Sequence, residues 1–201
     1  MVLFEIKDAF FAGSVLTSNS YQQIKSEIDK KYNNPKKGIG QLIKQIQKLK
    51  KSSFEKKSYA ELKKKSKNFK IYPVILYTDV HFGMPGVNNY MSQEFEKQVS
   101  EMNLKESFRR IERLTFLNLN FFINYYSCIK KIGLISILEK FHHELERRRK
   151  KHEFKQEVEF LFSYNDPPEQ IIEEIIECED KDKMNFEHLA KSLNLTEGLP
   201  K

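Results

Sequence analysis

Near the start of the chain, Glu5 and Lys7 stand two positions apart in the apolar run Val2-Leu3-Phe4-Glu5-Ile6-Lys7. Phe and Ile favour extended backbone, and side chains alternate across a strand. Residues 2–7 therefore predict a strand with Glu5 and Lys7 on one face and Phe4 and Ile6 on the other. A carboxylate and an ammonium sharing one face of an apolar strand are costly if buried unpaired. They must reach solvent at an edge, pair with each other or belong to a site. As a surface ion pair they would contribute about 0–1 kcal/mol. As a site they offer a hard oxygen ligand beside a cation, which suits chemistry on a phosphate.

The other reactive types are scattered. Asp79 and His81 lie two apart after an apolar run, where α/β proteins place many sites. No second His or Cys at ligand spacing completes a zinc set, so a capping Asp and an exposed His are expected. His142 and His143 are adjacent on a predicted helix and point in different directions, which argues against a shared metal. Cys128 and Cys178 are 50 positions apart and make neither a disulfide framework nor a paired metal motif. Neither has an activating base nearby, and both are expected to be reduced in a cytoplasmic protein. The basic run from Arg147 to His152 falls near a helix C-terminus, where cations complement the macrodipole, but it could also contact phosphates. Aromatic residues from Phe116 to Tyr126 lack the paired-aromatic sheet motif of an RNA reader and are expected in the core or at a partner-facing surface.

The elements that position these residues follow from periodicity. Ser20 caps a helix over about 21–33, ended by Asn33-Asn34-Pro35. Gly38 and Gly40 precede a second helix with Ile39, Leu42, Ile43, Ile46 and Leu49 at helical spacing. Residues 50–70 read as a polar loop with a short helix near 59–65. Residues 71–78 form a near-continuous apolar strand, the pattern of a strand buried on both faces. A helix over 87–101, a third strand over 114–119, and helices near 121–131, 133–150, 167–179 and 185–194 complete the order. The expected fold class is α/β, with a core over 1–119 and a helical C-terminal region over 120–201 packed on it or appended to it.

In context, the E-x-K triplet resembles half of the signature of PD-(D/E)XK nucleases. It sits in an apolar strand, Gly13 marks a bend after it, and Lys37-Gly38-Ile39-Gly40-Gln41-Leu42 opens a helix further on. The chain is thereby similar, over about residues 2–80, to the restriction-endonuclease-like superfamily and its nuclease-related variants. The resemblance implies an incomplete core of that class, a few-stranded mixed sheet with flanking helices. It implies Mg²⁺-dependent phosphodiester hydrolysis, with Glu5 and the Ile6 carbonyl as metal ligands, Lys7 orienting the attacking water, and Gln41 in support. A divalent ion would polarise the phosphoryl group and supply hydroxide near neutral pH.

That family also uses an Asp on a strand well upstream of E-x-K. Met1 lies four positions before Glu5, so the expectation is a C-terminal portion of a longer nuclease-like protein, with a missing N-terminal portion or protein partner. Asp8 points away from the Lys7 face, and Asp79 is a conceivable replacement. Without a second carboxylate, Mg²⁺ binding would be weak and this chain alone inactive.

Charge supplies the alternative, a non-catalytic nucleic-acid-binding or protein-interaction module. The chain has 201 residues and a net charge of +7, but Lys25–Lys70 alone carries 16 Lys against four acids. Lys36, Lys37, Lys44 and Lys48 are the candidate contacts to a nucleic-acid backbone, DNA first, by counterion release. The bland counterpart is a solvated helical face that maintains solubility. No apolar run approaches the length of a transmembrane helix, and Glu5, Lys7 and Asp8 break any signal-like stretch. The 16 Phe and 9 Tyr argue against wholesale disorder.

Overall fold

In the computed structural model, residues 1–18, 20–51, 66–152 and 166–176 are described. Strand β1 (Val2–Lys7) leads through two helices, α1 (Gly13–Leu16) and α2 (Tyr21–Tyr32), to a short antiparallel pair, β2 (Asn33–Asn34) and β3 (Lys37–Gly38). Helix α3 (Ile39–Lys51) follows, then β4 (Lys70–Tyr77), α4 (Val87–Glu101), β5 (Arg110–Ile111) and β6 (Thr115–Asn118). Four more helices complete the described chain: α5 (Asn120–Asn124), α6 (Tyr126–Ile132), α7 (Leu134–His152) and α8 (Pro168–Ile175). The short helix expected near 59–65 and the one near 185–194 lie outside the described residues.

β4 is the middle of the sheet. β1 runs parallel to it on one edge, in the register Val2 opposite Tyr72 to Lys7 opposite Tyr77. β5 and β6 run parallel to it on the other edge, against its first two and last four residues. The main sheet is therefore parallel throughout, and antiparallel pairing is confined to the separate β2–β3 pair. The α/β class with a few-stranded sheet and flanking helices is as expected, the antiparallel component being this small pair.

Alternation along β4 divides the interior in two. Ile71, Ile75 and Tyr77 point into a core built by α2, α3 and α4. Tyr72, Val74 and Leu76 point into a second core built by α5 to α8, including Phe121, Ile137, Phe141 and Ile171. The chain steps steadily across the sheet from β1 to β4 to β6. Two crossovers of one hand then fall on the same face, which is where α3 and α4 lie. The opposite face is left for the C-terminal helices.

Tight backbone contacts fix the entry to α3. Gly38 has φ +52°, and a Cβ there would lie 2.2 Å from the Tyr32 carbonyl oxygen. A Cβ on Gly40 would lie 2.4 Å from the Asn34 carbonyl oxygen. The two glycines let the β2–β3 pair fold directly onto the end of α2, setting where α3 begins. The helix expected over 121–131 is instead split into α5 and α6 at Tyr125, a residue that closes α5 and also precedes α6. Its ring stacks on Phe121.

A polar cluster ties α7 to the sheet at the β5–β6 bend. Buried Glu112 accepts from Lys70 at 3.1 Å and Arg110 at 2.9 Å. His142 Nε2 meets Thr115 Oγ1 at 2.9 Å, while its buried Nδ1 lies 3.9 Å from Glu112 Oε2 with no hydrogen-bond partner. His143 is exposed, so the two adjacent histidines do diverge. Burial, then Arg113, Lys70 and Arg110, lower the His142 imidazole to about 4, against a smaller opposing pull from Glu139. The unfolded chain protonates this residue near pH 6.5 and the folded chain only near pH 4. The unfolded state therefore binds more protons between those values, and stability falls as pH drops through that window. Denaturant titrations should show a loss of at most about 3 kcal/mol from this residue. The loss should be absent in His142→Gln, and an unchanged pH slope in that variant would contradict the assignment.

Candidate functional site on β1 and α3

The β1 alternation places Glu5 and Lys7 on one face and Phe4 and Ile6 on the other, as expected. The orientation is less expected: the charged face is the covered one. Leu3 packs on the core beneath α3, and Glu5 beside it is buried. Phe4 and Ile6 face outward, Ile6 being 61% exposed. β1 tolerates this because Lys7 Nζ lies 3.1 Å from Glu5 Oε1, so the buried carboxylate has its countercharge two residues along the same strand.

Gln41 sits in the first turn of α3. The flank of α3 toward α4 is marked by Gly40, Ile43, Lys44 and Gln47, which line a groove of about 340 Å³ with Glu94, Lys97, Gln98 and Glu101. Gln41 lies on the opposite flank of the helix, at about 100° per residue from Gly40. Since α3 bridges β1 and β4 while α4 bridges β4 and β6, that flank leans toward β1. Its Oε1 is buried without a hydrogen-bond partner among the described residues. The structure thus brings Glu5 and Lys7 together and sets Gln41 on the neighbouring helix flank, but no hydrogen bond joins Gln41 to the pair.

The lysines expected to meet nucleic acid form a surface around that helix. Lys36 and Lys37 occupy the β2–β3 turn, and Lys44 and Lys48 lie four apart on the outer side of α3; all four are exposed. Between Pro35 and Lys51 the chain has six Lys and no acid. None of these six forms an ion pair among the described residues, whereas Lys25, Lys31 and Lys70 all do. The remainder of the Lys-rich stretch, residues 52–65, lies outside the described residues.

The other candidates have structural partners. Asp79 Oδ2 accepts from the Phe11 amide at 2.7 Å, and Oδ1 accepts from the His81 amide at 3.0 Å. Burial pushes the Asp79 carboxyl up, but these bonds and the His81 ring at 2.7 Å together hold it below its usual range. It caps the 3-10 turn Val80–Gly83, with His81 half in solvent. Asp8 is exposed and accepts from Thr78 Oγ1 at 2.8 Å. Of the basic run, Arg147 and Arg148 bind Glu144, Arg148 also reaches Asp166 and Glu174, and Arg149 binds Glu146. Arg148 thus tethers α7 to α8, while Arg147 and Arg149 pair with acids of α7 itself. Cys128 is buried and disulfide-bonded, so the expectation of a reduced thiol there does not hold; Cys178 lies outside the described residues.

Glu169 was not singled out from sequence. It accepts from the Asn118 amide and from Tyr77 Oη (3.3 Å) at the C-terminal ends of β6 and β4. Burial raises its carboxyl above the ordinary value despite those donors. Its place directly after Pro167-Pro168, in a helical first turn, was the available signal, but nothing local indicated that this turn docks on strand ends.

The family resemblance implies Mg²⁺, and the donors present can be tested against it. Mg²⁺ is held through one or two carboxylates plus water and phosphate. Glu5 is the carboxylate of this cluster and is already countered by Lys7. Among the described residues no three His, Cys, Asp or Glu side chains group to hold a metal. Among the described residues this set does not complete a hard-cation site. Among the described residues no helix is long and apolar enough to cross a membrane.

The Glu5–Lys7 pair makes a direct prediction. Lys7→Met should destabilise the fold by about 1–3 kcal/mol, because it strands a buried carboxylate. Adding Glu5→Gln should recover part of the loss in chemical denaturation, and two losses that simply add would contradict the coupling.

No family model, curated protein or solved structure matches the chain.

Proposed function

We propose that this chain is the nucleic-acid-gripping part of a nuclease-like protein, binding a phosphate backbone, DNA first, along the outer side of α3 and the β2–β3 turn. One observation carries the reading: exposed lysines that form no ion pair among the described residues, with no interspersed acid, occupy the helix whose inner flank leans on the Glu5–Lys7 strand. Lysines that serve only solubility need no such segregation, and the paired lysines elsewhere show that this chain has acids to spare for them.

The arrangement suits backbone contact rather than base reading. Lys is a compact charge on a flexible stem, able to reach phosphate oxygens without fixed geometry. Lys44 and Lys48 are one helical turn apart, and Lys36 and Lys37 extend the positive surface past the helix start. Lys7 adds a cation beside the buried carboxylate, where a backbone following α3 would approach β1. Hydrolysis requires a second carboxylate beyond this cluster, so binding without cleavage is the expected behaviour of the chain by itself.

Four phosphate contacts predict that log K for a DNA duplex falls with log salt at a slope of about −3 to −4. Lys44→Glu with Lys48→Glu should flatten that slope by about 2 and lower affinity at least tenfold. Fluorescence anisotropy across a salt series measures both. Salt-independent binding, or an unchanged slope in the double variant, would overturn the assignment. Incubation with Mg²⁺ or Mn²⁺ should leave labelled DNA and RNA intact; cleavage that Glu5→Ala abolishes would show the catalytic set to be complete.

A further inference from the structure

We propose that the open edge of β1 is a self-association surface, on which a second copy pairs its own β1 antiparallel about a twofold axis at Ile6. Two four-stranded sheets would thereby join into one.

The edge is built for pairing. Met1 donates its amine to the Lys70 carbonyl at 2.7 Å and accepts from the Tyr72 amide at 2.9 Å. Odd-numbered residues of β1 therefore turn their amides and carbonyls toward β4, and Val2, Phe4 and Ile6 turn theirs outward. Among the described residues nothing pairs with that outward edge. Soluble proteins protect such edges with charge, proline or a covering element. Here the side chains on the exposed face are Phe4 and Ile6, at 37% and 61% exposure, with Phe10 at 70% just beyond the strand. Phe4 meets Phe122 of α5 edge-on at 5.9 Å, which carries the apolar surface onto the neighbouring helix.

Charge selects both the occupant and the register. The outward hydrogen-bonding positions are even-numbered, so the axis can fall at Phe4, Glu5 or Ile6. An axis at Glu5 sets two like carboxylates opposite each other, which is unfavourable. An axis at Phe4 sets Glu5 against the second copy's Leu3. An axis at Ile6 sets Glu5 of each copy against Lys7 of the other, two opposite-charge pairs at the non-hydrogen-bonded positions where side chains come closest. The two isoleucines then meet on the other face and leave water together.

This register has a consequence for the site, and in that respect alone it rests on the nucleic-acid reading. The two Glu5 residues become diagonal neighbours on one face, about 7–8 Å apart. An α3 lysine surface would then flank the joined strands on each side.

The full chain is tested by sedimentation equilibrium and by oxidative cross-linking. Wild type should dimerise, and Ile6→Lys, at an exposed position that leaves the core intact, should be monomeric. Ile6→Cys should cross-link to its counterpart, because a hydrogen-bonded pair brings Cα atoms to about 5.5 Å, within disulfide reach. Phe4→Cys should not. A chain that remains monomeric at every soluble concentration overturns the proposal and leaves the edge to a strand of another protein. A dimer that survives Ile6→Lys, or one that cross-links through Phe4→Cys instead, also overturns it. Lys44→Glu with Lys48→Glu should leave the dimer intact, so failure of the nucleic-acid reading and failure of this one are separable.

Discussion

Every layer of this protein depends on the burial of β4 on both faces. From Ile71 to Tyr77 the strand is buried at every position, and its alternation sends successive side chains into two different cores. Burying one such side chain contributes about 1.5–3 kcal/mol, so seven in succession make this strand the largest local commitment in the chain. Helices must cover both faces, and that requirement recruits α3 and α4 to one side and α5 to α8 to the other. β1 pairs with β4 on one edge and packs Leu3 beneath α3. The Glu5–Lys7 pair is therefore displayed on a strand that is anchored on one edge and open on the other.

Much of this was legible in the sequence because the signals were local. The unbroken apolar run of β4, the helical spacing in α3 from Ile39 to Leu49, and the Ser20 cap of α2 each require only neighbouring residues. The same holds for the face shared by Glu5 and Lys7, which follows from strand alternation alone. What alternation could not reveal was which face would be covered. That depends on α3 returning over β1, and the return is set by the close packing of Gly38 against Tyr32 at the end of α2 and of Gly40 against Asn34 and Pro35. The crossover covered the Glu5 face and left Ile6 exposed.

The less legible features are long-range. The Arg147–Arg149 run reads as free basic charge until Glu144, Glu146, Asp166 and Glu174 are seen around it. Glu169 reads as a surface acid until its helix docks on Asn118 and Tyr77. His142 reads as one of an adjacent pair until Thr115 and the cations near Glu112 surround it. Glu169 and His142 meet partners on other elements, and Arg148 reaches Asp166 and Glu174 beyond its helix, whereas Glu144 and Glu146 lie only three or four positions back on α7. The lysines of α3 show the converse: they looked like one part of a long basic stretch, and among the described residues they stand apart by being exposed without an ion pair.

The central claim is that a nucleic-acid backbone runs along α3 and the β2–β3 turn. Lysine-reactivity footprinting tests it most directly, by comparing reductive methylation of each side chain with and without a DNA duplex. The account predicts protection at Lys36, Lys37, Lys44 and Lys48, with Lys25 and Lys70 at their unbound reactivity because their ion pairs already shield them. Uniform protection of all lysines, or protection confined to positions outside α3 and the turn, would contradict it.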